Sequence, residues 1–423
     1  LLDTAAAGVT LFNSSAWPRY AEPVFLVGRT ESRWLDTKGL PVPSQLTDGG
    51  CWLAPSVLHP LEAVSFHAAA SVAVESDNPF HYQEGQLDTP LYQIRWNKSG
   101  QLIRIWDRQQ QRDVLAEPGN IFTVYEDKPL KYDAWDIEIF HVQKSRMITG
   151  LTAVTLTASG PLLAEVSFQW QDGESQIRQC MRVYRDSPRI DFVTDVDWLA
   201  TNQLLKVRFP VAIRATEATY DIQFGNVRRS TTWNTSWDYA RFESVVHQWA
   251  DLSESNYGVS LLNDSKYGQA IKDNVMQLTL IKSAISPDPQ ADQGKHHFTY
   301  ALLPHAGDWR QACVAHQAWF LNETLSVMPG ILTKPLVYPI RLSHPCIQLD
   351  AIKQAEDEPA LLIRMHEFTG GRQQVTLHSD YPLSRWVECD LMEQPEHIHT
   401  DSEPVSLSFL PYEIKTLKIY FTD

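Results

Sequence analysis

No stretch of this sequence approaches the run of about 18 apolar residues that a membrane-spanning helix needs, so no segment is read as crossing a bilayer. Positive charge is in short supply. Against 51 Asp and Glu stand 36 Lys and Arg, a net of −15, which disfavours a nucleic-acid backbone as partner. Cysteine is sparse and odd in number. Cys51, Cys180, Cys313, Cys346 and Cys389 are scattered without a C-x-x-C pair, which fits reduced thiols in a cytoplasmic protein better than a disulfide framework. Leu1 is not an initiator methionine, and Leu1–Val9 has neither a basic stretch nor a long apolar core, so it is not a signal peptide. A chain opening on Leu-Leu-Asp-Thr is expected to have been cut from a longer one. G-x-S-x-G, P-loop, G-x-G-x-x-G and H-E-x-x-H motifs are all missing, as are internal repeats and low-complexity tracts.

What is present is aromatic. The 423 residues include 14 Trp, 15 Tyr and 16 Phe, side chains that suit both pleated surfaces and stacking sites. A hydrophobic share of 43% and a charged share of 21% describe a globular chain rather than a disordered one. At about 100–200 residues per domain, two to four domains are expected.

Most of the sequence alternates with period two, the pattern of a strand with one buried face. In Pro161–Trp170, Leu162, Ala164, Val166, Phe168 and Trp170 fall on one side and Glu165, Ser167 and Gln169 on the other. After the turn dipeptide Asp172-Gly173, Ile177, Gln179, Met181 and Val183 return. Ile190, Phe192, Val196 and Trp198, then Leu205, Val207, Phe209 and Val211, repeat the pattern. Successive strands of this kind imply a large antiparallel sandwich. One helix is predicted near Asp308–Leu321, from Trp309, Ala312, Cys313, His316, Trp319 and Phe320 at helical spacing, with Asp308 as N-cap and Gln311 three residues on. Val9–Phe12 and Pro23–Val27 read as strands, Gly39–Gly50 as loop and Ser326–Pro339 as an inter-domain connection. Ala360–His366, Gln374–His378, Trp386–Asp390, Val405–Phe409 and Thr416–Phe421 read as short strands of a small terminal sandwich.

Several constellations carry possible chemistry. Asp191, Asp195 and Asp197 share a strand face, adjacent side chains projecting about 7 Å apart, a spacing at which carboxylates can work on a glycosidic bond. Cross-strand ion pairs to Arg178, Arg182, Lys206 and Arg208 are the simpler account. His296-His297 and His397-Ile398-His399 are metal-competent residue types, but no third ligand stands at standard spacing. Three loops are rich in aromatics, acids or both: Glu126–Asp136, Trp233–Tyr239 and Ser286–His296. Aromatic faces beside carboxylates suit a polyol, and equally suit loops that merely cover the end of a sandwich.

The residues then show a family resemblance. Leu204–Pro210, Tyr220–Gly225, Asn234–Asp238 and Ala240–Glu243 resemble the C-terminal region of glycoside hydrolase family 38, the α-mannosidases, in the bacterial and cytosolic-type branch. The likeness continues through Tyr257-Gly258, Leu262–Gly268, Pro287–Pro289, Asp292–Gly294, Phe298–Leu302 and Pro304-His305. Glu126–Pro129, Asp133–Asp136, Ser187–Phe192, Phe12-Asn13, Trp17–Arg19 and Glu388–Glu393 also fit, in the same order along almost the whole chain.

That resemblance implies a mainly β fold, a galactose-mutarotase-like super-sandwich flanked by smaller β domains. It divides the chain into a small N-terminal β segment (1–76), a super-sandwich (77–328) and a C-terminal β-sandwich (329–423). It implies the β region of an enzyme that hydrolyses terminal α-mannosides, shaping the substrate cleft beside a catalytic barrel absent from this chain. No catalytic residue and no metal ligand carry over. Zinc is expected in the full-length enzyme and no cofactor in this chain, which alone is expected to be inactive. By position, Trp135 and Asp136, with Asp288, Asp292 and His296, are the implied substrate contacts. The implied partners are a mannose-containing oligosaccharide and the enzyme's own barrel and helical bundle, with a homo-oligomer open. The alternative is a free-standing carbohydrate-binding or mutarotase-like protein. The pattern predicts more than about one-third strand, above the usual ~20–25%; a parallel α/β sheet would overturn it.

Overall fold

The computed structural model describes residues 2–70, 77–336, 340–399 and 405–422. Strand accounts for 53% and helix for 5%. Two compact units are present: Val74–Ile222 with Val227–Asn322, and Leu1–Ala73 with Gln223–Asn226 and Glu323–Asp423.

The first unit is the large sandwich. Its nine-stranded antiparallel sheet runs, in spatial order, from Leu151–Ser159 through Leu163–Asp172, Ser175–Tyr184, Ile190–Trp198 and Gly294–Ala306 to Tyr257–Asn263, Trp249–Ser253, Glu217–Ile222 and Gly225–Ser230. A six-stranded sheet is built around Ile121–Glu126, Gln203–Pro210 and Val275–Ser283. The alternation read from the sequence holds: Leu162, Ala164, Val166, Phe168 and Trp170 are all buried, and so are Ile177, Met181 and Val183 opposite them. These residues join one apolar core with Phe192, Phe209 and Tyr300.

One polar ring interrupts that core. Gln179, fully buried, donates from Nε2 to Thr194 Oγ1 (2.9 Å) and Tyr300 Oη (2.8 Å). Its Oε1 accepts from Asn120 Nδ2 (2.7 Å), and Asn120 Oδ1 accepts from Tyr300 Oη (2.7 Å). Every amide group has a partner, which is the condition for polar groups to persist in such a core.

Four sequence expectations are corrected. Lys206 and Arg208 do not neighbour Asp191–Asp197, because the chain leaves the nine-stranded sheet after Trp198 and enters the six-stranded one at Gln203. Arg178 and Arg182 do stand opposite Asp195 and Asp191 across the neighbouring strand, as expected, and the acids find further partners. Asp191 is held by Arg189 and Tyr184 Oη, while Asp195 pairs with His297 across the strand at 2.7 Å. Gly39–Gly50 is not all loop: Ser44–Thr47 pairs with Gly50–Leu53 around Asp48-Gly49, and Gly49 supplies the positive φ that the tight turn requires. Nor is Ser326–Pro339 only a connection. Ser326–Pro329 pairs with Gly8–Phe12 as an edge strand, the position where proline's missing N–H is harmless, and Ile331–Leu332 pairs with Leu2–Asp3. Residues 337–339 lie outside the described set.

The fourth correction concerns the helix, which spans Val314–Asn322 and starts later than its period suggested. The capping pair forms as expected: Gln311 N donates to Asp308 Oδ1 (3.0 Å) and Asp308 N to Gln311 Oε1 (3.2 Å). Cys313, at φ 53°, then breaks the helical path, so Asp308–Cys313 is a turn.

In the second unit, the five-stranded sheet Ile347–Gln354, Leu361–Glu367, Ile414–Phe421, Leu383–Cys389 and Pro395–His399 accompanies the three-stranded Arg341–Leu342, Gln373–His378 and Val405–Phe409. Ile363, Val375, Leu407, Leu417 and Ile419 share its core. His397 lies on the last strand of the larger sheet; the side chains of Ile398 and His399 are outside the described residues.

Asp221, at the end of Glu217–Ile222, accepts from Gln248 N at 2.8 Å, yet burial pushes its carboxyl up from 3.8 to about 7. Because the folded value is the higher one, its stabilising contribution is present below about pH 4 and lost as pH rises toward 7. Asp221→Asn is expected to raise the melting temperature by several degrees at pH 8 and to leave it unchanged at pH 4, measured by thermal melts at both values.

Candidate functional site

Two of the loops singled out in the sequence, Glu126–Asp136 and Ser286–His296, meet at one end of the large sandwich. Trp233–Tyr239 starts from the opposite end of the six-stranded sheet, where Lys272 Nζ lies 4.6 Å from the Trp233 ring; buried charges hold them in place. Lys206 points from the centre of the six-stranded sheet and is almost fully buried, a position that a cation tolerates only when paired. Glu243 supplies the pair, and its second oxygen accepts from Thr279 Oγ1. This anchors the end of the segment carrying Trp233, Trp237 and Tyr239. Its short helix, Ser236–Ala240, is capped by Thr235 Oγ1, which accepts from Asp238 N at 3.1 Å.

A second pair anchors the neighbouring loop. Buried Asp127 is bound by Lys282 through Oδ2, and its N–H donates to Asn202 O at 2.8 Å. The Asn202 N–H donates in turn to Ser283 O at 2.7 Å, so three connections are stitched together. Further along, the short 3-10 helix Ile139–Gln143 buries His141 against Tyr125 (ring centroids 5.1 Å apart) and Phe242 (5.9 Å). Burial, reinforced by the Lys206 ammonium, holds the His141 imidazole below its usual range.

Asp133 makes the decisive tie. Its Oδ2 accepts from Ile285 N (2.7 Å) and Ser286 N (3.2 Å), joining the Glu126–Asp136 loop to the one that begins at Ser286. A carboxylate on two backbone N–H groups is a charge-assisted contact, roughly twice as strong as a neutral one. Between these anchors the loops expose apolar surface: Leu130, Tyr132, Trp135, Trp237 and Tyr239 all face solvent, Trp135 at 87%.

The five residues named as substrate contacts fall as follows. Trp135 is exposed, and Asp136 beside it is half-buried, its N–H donating to Tyr132 O at 2.8 Å. Asp288 is exposed, with Oδ1 accepting from Gln290 N at 2.9 Å. Asp292 is exposed at φ 56°, and its carbonyl lies 2.8 Å from His296 Nε2. His296 also lines a groove of about 720 Å³ on the nine-stranded sheet, with Gln171, Arg178, Asp195, Asp197 and His297. The structure thus brings the two loops together through Asp133, while Asp292 and His296 meet directly. Sequence reasoning missed the anchors: Asp133 and Glu243 lay inside quoted motifs, but nothing in spacing says which acid holds a backbone and which faces a ligand.

Two family models match the chain: "Glycosyl hydrolases family 38 C-terminal domain" over residues 87–290 and "Glycosyl hydrolases family 38 C-terminal beta sandwich domain" over 347–417. Alpha-mannosidase 2C1 of Homo sapiens is 34% identical over 343 residues, covering 78% of this chain and 33% of that protein. Alpha-mannosidase G of Dictyostelium discoideum is 33% identical over 351 residues, covering 78% and 32%. The chain therefore spans about a third of the length of the curated relatives it matches. A crystal structure of an alpha-mannosidase from Enterococcus faecalis V583 superposes with a TM-score of 0.77 at 16% identity, over 97% of this chain and 56% of that one. At that identity the superposition speaks for the fold alone.

Asp133→Ala removes the loop tie without opening a core. The expected result is faster amide exchange at Ile285 and Ser286 by about tenfold, with a melting temperature within about 2 °C of the parent, as exposed substitutions usually give.

Proposed function

We propose, for a chain that belongs to glycosyl hydrolase family 38 and carries that family's C-terminal domains, that its loop-bearing end closes one wall of a mannoside-binding cleft. The catalytic barrel and helical bundle of that enzyme are not in this sequence, and they are the partner that the exposed loops meet. The substrate class is a terminal α-mannoside in a mannose-containing oligosaccharide. The observation that carries the reading is the pairing of exposed Leu130, Tyr132, Trp135 and Trp237 with anchors as costly as Lys206–Glu243 and Asp127–Lys282. Apolar side chains held out on ion-paired loops form the kind of patch that another surface covers.

In this reading Trp135 offers an indole face to the apolar side of a sugar ring, and Asp136, Asp288 and Asp292 accept from its hydroxyls. His296, fixed by the Asp292 carbonyl, sits between this end and the groove on the nine-stranded sheet. Bond cleavage is assigned to residues outside this chain. In the same reading the zinc belongs to the catalytic region; among the described residues no group of three His, Cys, Asp or Glu side chains stands where it could hold a metal ion. A cytoplasmic location is part of the same reading; among the described residues no helix is long and apolar enough to cross a membrane.

Two measurements test the proposal. The purified 423-residue chain is expected to turn over no aryl α-mannoside and to hold no stoichiometric zinc; turnover with bound zinc would overturn it. In the full-length enzyme, Trp135→Ala is expected to raise KM about tenfold with kcat within about twofold, the signature of binding lost equally from ground and transition states. An unchanged KM would return Trp135 to an incidental surface residue.

A further inference from the structure

A second cavity opens in the large sandwich. It measures about 1040 Å³, and its walls come from the segments Val211–Glu217, Asp251–Ser255, Asp273–Asn274 and Asp308–Arg310, with Thr231 and Thr232. That volume is at the upper end of the ~300–1,000 Å³ usual for small-molecule sites.

Its floor is a built polar cluster. Asp251, 2% exposed, accepts from Ser253 Oγ through Oδ1 (2.6 Å) and from Ser260 Oγ through Oδ2 (2.8 Å). His305 Nε2 lies 2.8 Å from the same Oδ2, and the buried His305 Nδ1 has no hydrogen-bond partner. Gly258 makes this packing possible: a Cβ there would lie 2.1 Å from Ser253 Oγ and 2.4 Å from His305 Cε1. Because the Ser253 proton is committed to Asp251, its oxygen is left as an acceptor toward the cavity. Asp251 and Ser260 both address Nε2 of His305 rather than opposite ring nitrogens, so the cluster is not a proton relay to a nucleophilic serine.

Much of the wall charge is paired. Glu254 pairs with Arg112 at 3.1 Å and accepts from Arg214 N at 3.0 Å. Arg228 stands 3.8 Å from Glu217 and Arg310 3.7 Å from Asp308. Three lining guanidiniums face five lining carboxylates, so an anion is disfavoured on balance. Guanidiniums donate, carboxylates accept and the intervening Ser and Thr hydroxyls do both, while Ile213, Ala215 and Trp309 add apolar wall. A neutral molecule bearing many hydroxyls satisfies all of these at once, without a net charge to desolvate.

We propose that this cavity is a second binding site, separate from the Glu126–Asp136 and Ser286–His296 loops, for a neutral polyhydroxyl ligand of the size of a disaccharide. The inference stands on the cavity's own lining and does not depend on the mannosidase reading.

The test uses the 423-residue chain and saturation-transfer NMR with calorimetry. The probes are mannobiose and maltose, with inorganic phosphate and Ca²⁺ as charged controls. At least one disaccharide is expected to bind, and neither charged control. Ser255→Trp and Thr216→Trp, exposed positions on the cavity wall, are each expected to weaken that binding at least about tenfold, a clear shift in the measured Kd. Both should melt within about 2 °C of the parent. Trp135→Ala is expected to leave the affinity unchanged, which keeps this outcome distinct from the fate of the cleft assignment. Binding of phosphate or Ca²⁺ in place of the sugars overturns the proposal. So does the absence of disaccharide binding, or binding that Trp135→Ala abolishes and the wall substitutions leave intact.

Discussion

A lysine that cannot be left alone organises the functional end of this protein. Lys206 lies in a central strand of the six-stranded sheet, with Leu205 and Val207 on either side in the core, and is itself almost fully buried. A buried ammonium without a counter-charge costs several kcal/mol, and removing one partner of such a pair typically costs about 3–5 kcal/mol. Glu243 must therefore come down onto the sheet, and the segment before it, with Trp233, Trp237 and Tyr239, has to arch over that face. His141 and Phe242 fill the space beside the pair, and Asp127–Lys282 repeats the device one connection away. The aromatic loops are exposed at their tips and pinned at their bases.

This division of labour among acids separates the two regions of interest. Asp133, Asp127 and Glu243 are consumed by backbone N–H groups, a hydroxyl and lysines, while Asp288 and Asp292 are left exposed and Asp136 half-buried. In the 1040 Å³ cavity the carboxylates are paired more loosely with arginines, while a rigid Asp251–Ser253–Ser260–His305 cluster forms the floor. On the outer face of the nine-stranded sheet, Asp195 faces His297 and Asp197 faces Lys295 across the strand, so these acids are matched in place rather than poised as a catalytic pair. The same residue type thus scaffolds a loop, lines a polar cavity and neutralises a sheet face, and only its neighbours decide which.

The alternation of Leu162 to Trp170, Ile177 to Val183 and Ile190 to Trp198 was sufficient on its own to establish a large antiparallel sandwich. A strand with one buried face must repeat every second residue, and that constraint is local. The motif runs from Leu204 to Leu302 likewise identified the family, and the acid-rich and aromatic loops marked the surface worth inspecting. Other features depended on residues distant in sequence. That Gln203–Pro210 departs to a second sheet, that Lys206 is sealed by a loop almost forty positions on, that Asp133 holds Ile285 and Ser286, and that Cys313 breaks a well-capped helix were settled by tertiary structure. Period two says which side of a strand is apolar, but not what later covers the polar side. Capping residues can start a helix, but the positive φ at Cys313 delays it to Val314. The sequence by itself determined the class of fold and the family. Which charges are buried, and hence which loops are held out for a partner, was decided by packing alone, because a charge's partner is chosen by distance in space and not by distance along the chain.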